Sequence, residues 1–222
     1  MKELQSVFML IVLLVMLFGK SNITKAQPAK TTHDYTTINQ ADWVFQKNDT
    51  LNYGVDNYQN AKALLLKRNI ANYKSASIAY PKKLVFKDGI IEADIASPVG
   101  GNGFVGLAFR ITDAHHYEVV YFRPGSSGTI NAIQYMPEKK FEFNWWDYEA
   151  EKYQAKATLP LANWFHVKLV VNANVVSVYL DNQPQPVFTY SALDPSLTVG
   201  SVGFWLGNCA SGAYKNLVVK TF

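Results

Sequence analysis

The chain has 222 residues, 49% of them hydrophobic, 14% aromatic and only 17% charged, with a formal net charge of +4. This is enough apolar material for one sizeable core and too little charge for a disordered or coiled-coil chain. The 13 glycines and 9 prolines are scattered, which excludes collagen-like and low-complexity chains, and the single Cys209 excludes an intrachain disulfide or a multi-cysteine zinc site.

Val7 to Phe18 is an unbroken apolar run between Lys2 and Lys20. A membrane-spanning helix needs about 20 apolar residues, so the run fits the core of a signal peptide better than an anchor. Thr24-Lys25-Ala26 offers small residues for a cut after Ala26. The sequence therefore predicts a signal peptide over 1–26, with an uncleaved anchor as the alternative, and an exported body, periplasmic or extracellular, without membrane insertion of the mature chain. The cut removes Lys2, Lys20, Lys25 and Glu3, so the basic excess belongs partly to the export signal. Lys82-Lys83 and Lys139-Lys140 are isolated pairs, which excludes the clustered stripe that nucleic acid wants.

Residues 27–41 are polar and Thr-rich and read as a loose leader, with one domain over 42–222. From Trp43 onward, apolar and polar residues alternate with period two, broken by turn clusters. In Gly89 to Ile95, Ile91, Ala93 and Ile95 share one face while Glu92 and Asp94 share the other. Strands are predicted at Phe104 to Ile111 and Tyr117 to Phe122, joined by Thr112 to His116. Trp164 to Val171 and Val175 to Leu180 form a second pair, joined by Asn172-Ala173-Asn174, whose residues tolerate left-handed backbone. Gly203 to Leu206 and Leu217 to Val219 supply the last strands. Ala61 to Arg68 fits either a helical turn or a strand. Many strands without alternating helices predict an all-β, two-sheet antiparallel sandwich.

Phe86 to Pro124 (FKDGIIEADIASPVGGNGFVGLAFRITDAHHYEVVYFRP), WFHVKLVVNANVVSVYLDNQPQPVF and VGSVGFWLG resemble successive strands of the concanavalin A-like lectin/glucanase superfamily. The resemblance spans most of 42–222 and implies a jelly-roll sandwich. It is shared by lectin modules, laminin-G-like modules and glycosidases, and it extends to secreted bacterial 3-keto-disaccharide hydrolases. In laminarinase-type relatives, a strand like that of Glu92 and Asp94 carries a further glutamate as acid. Here Ala96 and Ser97 occupy those positions, so that mechanism does not carry over.

Three carboxylates are candidate catalytic groups if a bond is cleaved. Glu92 and Asp94 project together, about 6.6 Å apart along a strand, within reach of the spacings that glycosidases use; Glu118 is the third. The alternative is a polar strand face held by Lys or Arg. Asp113, His115 and His116 share one loop, too few ligands for a metal site without a distant fourth. No cofactor is predicted. The superfamily leaves room for a structural calcium, although no loop carries acids at the alternating spacing of a dedicated calcium loop.

The candidate ligand residues are Arg110, Tyr121, Arg123, Gln134, Trp145 and Trp146. Alternation sets Tyr117, Val119, Tyr121 and Arg123 on one row of their strand, with Arg110 near that row and Glu118 on the opposite one. Gln134 follows in AIQY, and FEFNWWDYEAEKY brings Trp145 and Trp146. Aromatic faces take the C–H face of a sugar while Arg, Gln and Asn take its hydroxyls. The arginines serve equally as structural partners of Glu92, Asp94 or Glu118, and one of the two tryptophans must usually point inward. Trp164 and Trp205 read as core. The predicted function is a secreted, lectin-like module with a carbohydrate ligand, on one face carrying Glu92, Arg110, Tyr121, Arg123 and the Trp145–Trp146 region. The alternatives are a hydrolase of the 3-keto-disaccharide kind and a laminin-G-like protein-adhesion module.

Overall fold

The computed structural model describes residues 29–46, 51–68, 76–99, 103–140, 143 and 149–222. The expected signal peptide, Trp145 and Trp146 lie outside them. No helix among the described residues is long and apolar enough to cross a membrane.

The described residues form fifteen strands in two antiparallel sheets. The larger sheet comprises β1 (Thr31–Tyr35), β3 (Leu51–Tyr58), β4 (Ala61–Arg68), β6 (Gly89–Ala96), β11 (Phe165–Asn172), β12 (Val175–Leu180), β13 (Phe188–Tyr190) and β15 (Ser211–Thr221). Its order is β13-β12-β11-β6-β15-β4-β3, with β1 also paired to β15. The other sheet comprises β2 (Trp43–Gln46), β5 (Ser77–Pro81), β7 (Val105–Asp113), β8 (His116–Phe122), β9 (Ile133–Lys139), β10 (Gln154–Ala155) and β14 (Ser201–Leu206), in the order β10-β9-β8-β7-β14-β5-β2. The single α-helix among the described residues, α1 (Ala150–Tyr153), leads into β10.

The sandwich expected from the alternation is the fold observed. Ile91, Ala93 and Ile95 of β6 turn inward together with Val167, Leu169 and Val171 of β11. Val120 and Phe122 of β8 and Val202, Phe204 and Leu206 of β14 meet them from the facing sheet. Phe204 ties the layers together, stacked on Trp43 at 5.4 Å and on Tyr214 at 4.8 Å. Full burial of each large apolar side chain contributes about 1.5–3 kcal/mol.

Ala61–Arg68 resolves to strand, because pairing with β3 and β15 on its two sides outweighs a helix-tolerant composition. Within the polar leader, Thr31–Tyr35 pairs with Leu217–Thr221. The loop expected over Thr112 to His116 shortens, since Asp113 and His116 already pair. Val175–Leu180 begins and ends where the sequence predicts.

Candidate functional site

One row of residues in register crosses every strand on the outer side of the seven-stranded sheet. Gln154 faces Gln134, Gln134 faces Tyr121, and Tyr121 faces Gly106. Gly106 faces Trp205, which faces Ile78, which faces Gln46. Tyr117, Val119 and Tyr121 therefore stand on this side, while Val120 and Phe122 enter the core. The middle of the row is a second buried cluster built on Tyr121, Trp205, Tyr117, Val119, Ala108 and Ile78.

At one end of this face four side chains form a ladder. The Arg123 guanidinium lies 4.5 Å from the Phe104 ring centre. Phe104 stacks on Tyr121 at 6.0 Å, and Tyr121 stacks on Trp205 at 4.9 Å. Trp205 Nε1 donates to the Tyr117 hydroxyl at 3.1 Å, which fixes the indole in its plane. Gly106 lies between the two stacked rings, and a Cβ there would stand 2.5 Å from the Val120 carbonyl and 2.7 Å from Tyr121 Cβ. Its missing side chain is what lets Tyr121 and Trp205 meet across one strand. Arg123 and Phe104 are half-buried, whereas Tyr121, Trp205, Gln134 and Gln154 are buried. The ladder thus offers solvent a cation on an aromatic face, braced from behind.

Arg110 takes the other side of the sheet. It has φ +52°, and the β7–β8 and β7–β14 registers both shift at this point. Such a bulge reverses the alternation, so Ile111 joins the outer cluster and Arg110 turns between the layers. There every one of its donors has an acceptor. Nη1 donates to Glu118 Oε1 at 3.0 Å and to the Leu197 carbonyl at 3.3 Å. Nη2 donates to Asp88 Oδ1 and the Ala173 carbonyl, and Nε to the Lys87 carbonyl. Glu118 Oε2 accepts from the Tyr135 hydroxyl at 2.6 Å and from the Asp194 backbone N–H at 3.3 Å. Burial pushes the Glu118 carboxyl up to about 7, against the pull of Tyr135 and Arg110. Burial, with Glu118 alongside, likewise drives the Tyr135 hydroxyl far above the usual phenol range. This network joins the two sheets, and its Arg110–Glu118 centre is buried.

Glu92 and Asp94 stand on the outer face of the eight-stranded sheet, across the sandwich from Tyr121 and Arg123. Glu92 accepts from Lys220 Nζ at 2.9 Å. Asp94 holds His166 Nδ1 at 2.8 Å, Asn216 Nδ2 at 2.7 Å and Lys215 Nζ at 3.5 Å. The structure therefore brings together Tyr121, Arg123 and Gln134, sets Arg110 with Glu118 inside, and separates both groups from Glu92 and Asp94. Asp113 closes on His116 within its own hairpin. Trp205 is buried, as expected, but against the outer face rather than between the sheets. Trp164 is half-buried, beneath Lys215 and edge-on to Tyr58. Sequence reasoning missed Phe104, Trp205 and Gln154 as members of the face. Phe104 was within reach, since it shares strand parity with Gly106 and Ala108.

A laminin-G-type family model, that of the concanavalin A-like lectin/glucanases superfamily, matches residues 105–216. No curated protein matches the sequence. Among solved structures, the fold is similar to the carbohydrate binding module CBM66 from Bacillus subtilis, with 16% identity, a TM-score of 0.58, and 81% of this chain and 96% of that one covered. It is similar to the Bacillus licheniformis beta-glucanase, with 12% identity, a TM-score of 0.55, and 89% and 100% covered. The VIP36 exoplasmic/lumenal domain, with calcium and a mannose glycan bound, gives 10% identity, a TM-score of 0.53, and 82% and 84% covered. At such identities these likenesses speak for the fold, which they share with the sandwich described above. The family match over half the chain, together with this architecture, shows that the chain belongs to the concanavalin A-like lectin/glucanases superfamily.

Proposed function

We propose that the protein is an exported carbohydrate-binding module, and that the sugar sits on the outer face of the seven-stranded sheet at its Arg123–Phe104 end. The carrying observation is the ladder of Arg123, Phe104, Tyr121 and Trp205, with Gln134 and Gln154 in register beside it. An arginine held on an aromatic ring presents a fixed hydrogen-bonding fork that the polar groups of a sugar can take. Fold neighbours named as a carbohydrate binding module, a beta-glucanase and a glycan-bound lumenal domain support a sugar ligand. In this reading Tyr121 and Trp205 brace the platform with Gln134 beside them, and Arg123 takes polar groups of the ligand. Arg110 acts from behind, by holding β7 and β8 in register.

Binding is favoured over cleavage by the state of the carboxylates. Glu92 and Asp94 are engaged by Lys220 and Lys215 on the opposite face, and Glu118 is enclosed by Arg110, Tyr135 and the Asp194 amide. The test is a glycan array and polysaccharide pull-down with mass spectrometry of every glycan retained. Retention of intact glycan is the expected result. Shortened or altered glycan would make the protein an enzyme, and no retention would overturn the carbohydrate reading.

A further inference from the structure

We infer that the ligand at this face is an acidic glycan, and that Arg123 reads the carboxylate of a uronic-acid-type sugar. The inference rests on the carbohydrate reading above and deepens it.

The chain has three arginines, Arg68, Arg110 and Arg123, and two of them differ sharply in their surroundings. Arg110 is neutralised by two carboxylates, and every one of its donors is satisfied. Arg123 has none of this. Among the described residues no carboxylate lies within ion-pair distance of it. Its Nε is shielded from solvent without an acceptor. Its Nη1 reaches only Gln134 Oε1, at 3.5 Å, the outer limit of a hydrogen bond. A buried donor left without a partner is costly and calls for an explanation. The guanidinium is also held in place: its face rests on Phe104, and Phe104 is backed by Tyr121 and Trp205.

A guanidinium immobilised on an aromatic ring, half-withdrawn from water and without a counter-ion among the described residues, is pre-organised for a planar anion. A carboxylate matches the fork with two parallel hydrogen bonds. A neutral hydroxyl would leave the positive charge uncompensated in a partly desolvated place. A sulfated sugar offers the same charge with tetrahedral rather than planar oxygens, so the two anions can be told apart.

The test is calorimetric titration of the purified chain with oligosaccharides of galacturonic, glucuronic and mannuronic acid. Each is paired with its methyl ester and accompanied by a sulfated and a neutral glycan of the same length. The expected result is that an acid form binds about tenfold or more tighter than its ester. Arg123→Gln should erase that preference, and Arg123→Lys, which keeps the charge and loses the fork, should reduce it. Equal binding of acid and ester, a preference for the sulfated glycan alone, or a preference that survives Arg123→Gln would each overturn the inference while the carbohydrate reading stands. Failure of every glycan, neutral ones included, would overturn both. The acid–ester comparison on the unmodified chain keeps the test open if a variant does not fold.

Discussion

Tyr121 of β8 stands directly opposite Gln134 of β9, so the ring that stacks on Trp205 and the amide nearest to Arg123 are fixed by one cross-strand pair. Their relation is set by backbone hydrogen bonds rather than by a loop, which makes this face rigid. A disturbance at any strand of the row should therefore be felt at its neighbours.

Gly106 gives the most direct check of that rigidity. Gly106→Ala drives a Cβ against the Val120 carbonyl and Tyr121 Cβ. Overpacking against backbone is expected to cost about 1–3 kcal/mol or more and to push Tyr121 off Trp205. Denaturant unfolding should show the loss, and the near-ultraviolet circular dichroism of the stacked rings should weaken. A fully stable variant with an unchanged aromatic spectrum would contradict the stacking argument.

Arg110 is predicted to be a structural arginine. Arg110→Met leaves Glu118 enclosed without its cation, which typically costs about 3–5 kcal/mol. In a domain of this size each kcal/mol lowers Tm by roughly 2–4 °C. Arg123→Met should cost far less, because no carboxylate among the described residues depends on it. Equal losses for the two variants would refute the contrast.

Glu118 should make stability depend on pH in a defined direction. Its carboxyl is raised from 4.5 to about 7 in the folded chain, so the folded state binds this proton more tightly than the unfolded state. Its contribution is complete below pH 4.5 and falls as pH rises toward 7, on the order of 3 kcal/mol in all. Glu118→Gln cannot titrate and should flatten that part of the profile. Unfolding of both proteins by urea at pH 5 and pH 8 measures the difference, and parallel profiles would show that Glu118 is not the group responsible.

The inward set of β6 and the outer row of β8 were legible from alternation alone, because both strands are regular. Arg110 was not, since parity put it near the Tyr121 row and a bulge at a left-handed residue turned it to the Glu118 side. Glu92 was expected to share a face with Tyr121. Its strand lies between β11 and β15 in the other sheet, and such partnerships come from distant pairing that local sequence does not encode. Trp205 likewise reads as core by composition, and only its register with Gly106 and Ile78 puts it on the outer face.

Glu92 and Asp94 should prove dispensable for the proposed binding. Each faces outward in a half-exposed ion pair with a lysine, of the kind that contributes about 0–1 kcal/mol. Glu92→Gln and Asp94→Asn are expected to fold with nearly unchanged stability and to retain glycan as the original chain does. Loss of glycan binding in either variant would move the site to the eight-stranded sheet.

The sugar is proposed to sit at the Phe104–Arg123 end of the seven-stranded sheet. The most direct measurement is titration of one glycan retained on the array against the original chain, Phe104→Ala and Glu92→Gln, with circular dichroism to verify that each is folded. Phe104→Ala is expected to lose about tenfold or more in affinity, since it removes the ring that holds Arg123, while Glu92→Gln binds as before. Unchanged binding by a folded Phe104→Ala, or loss confined to Glu92→Gln, would contradict that placement.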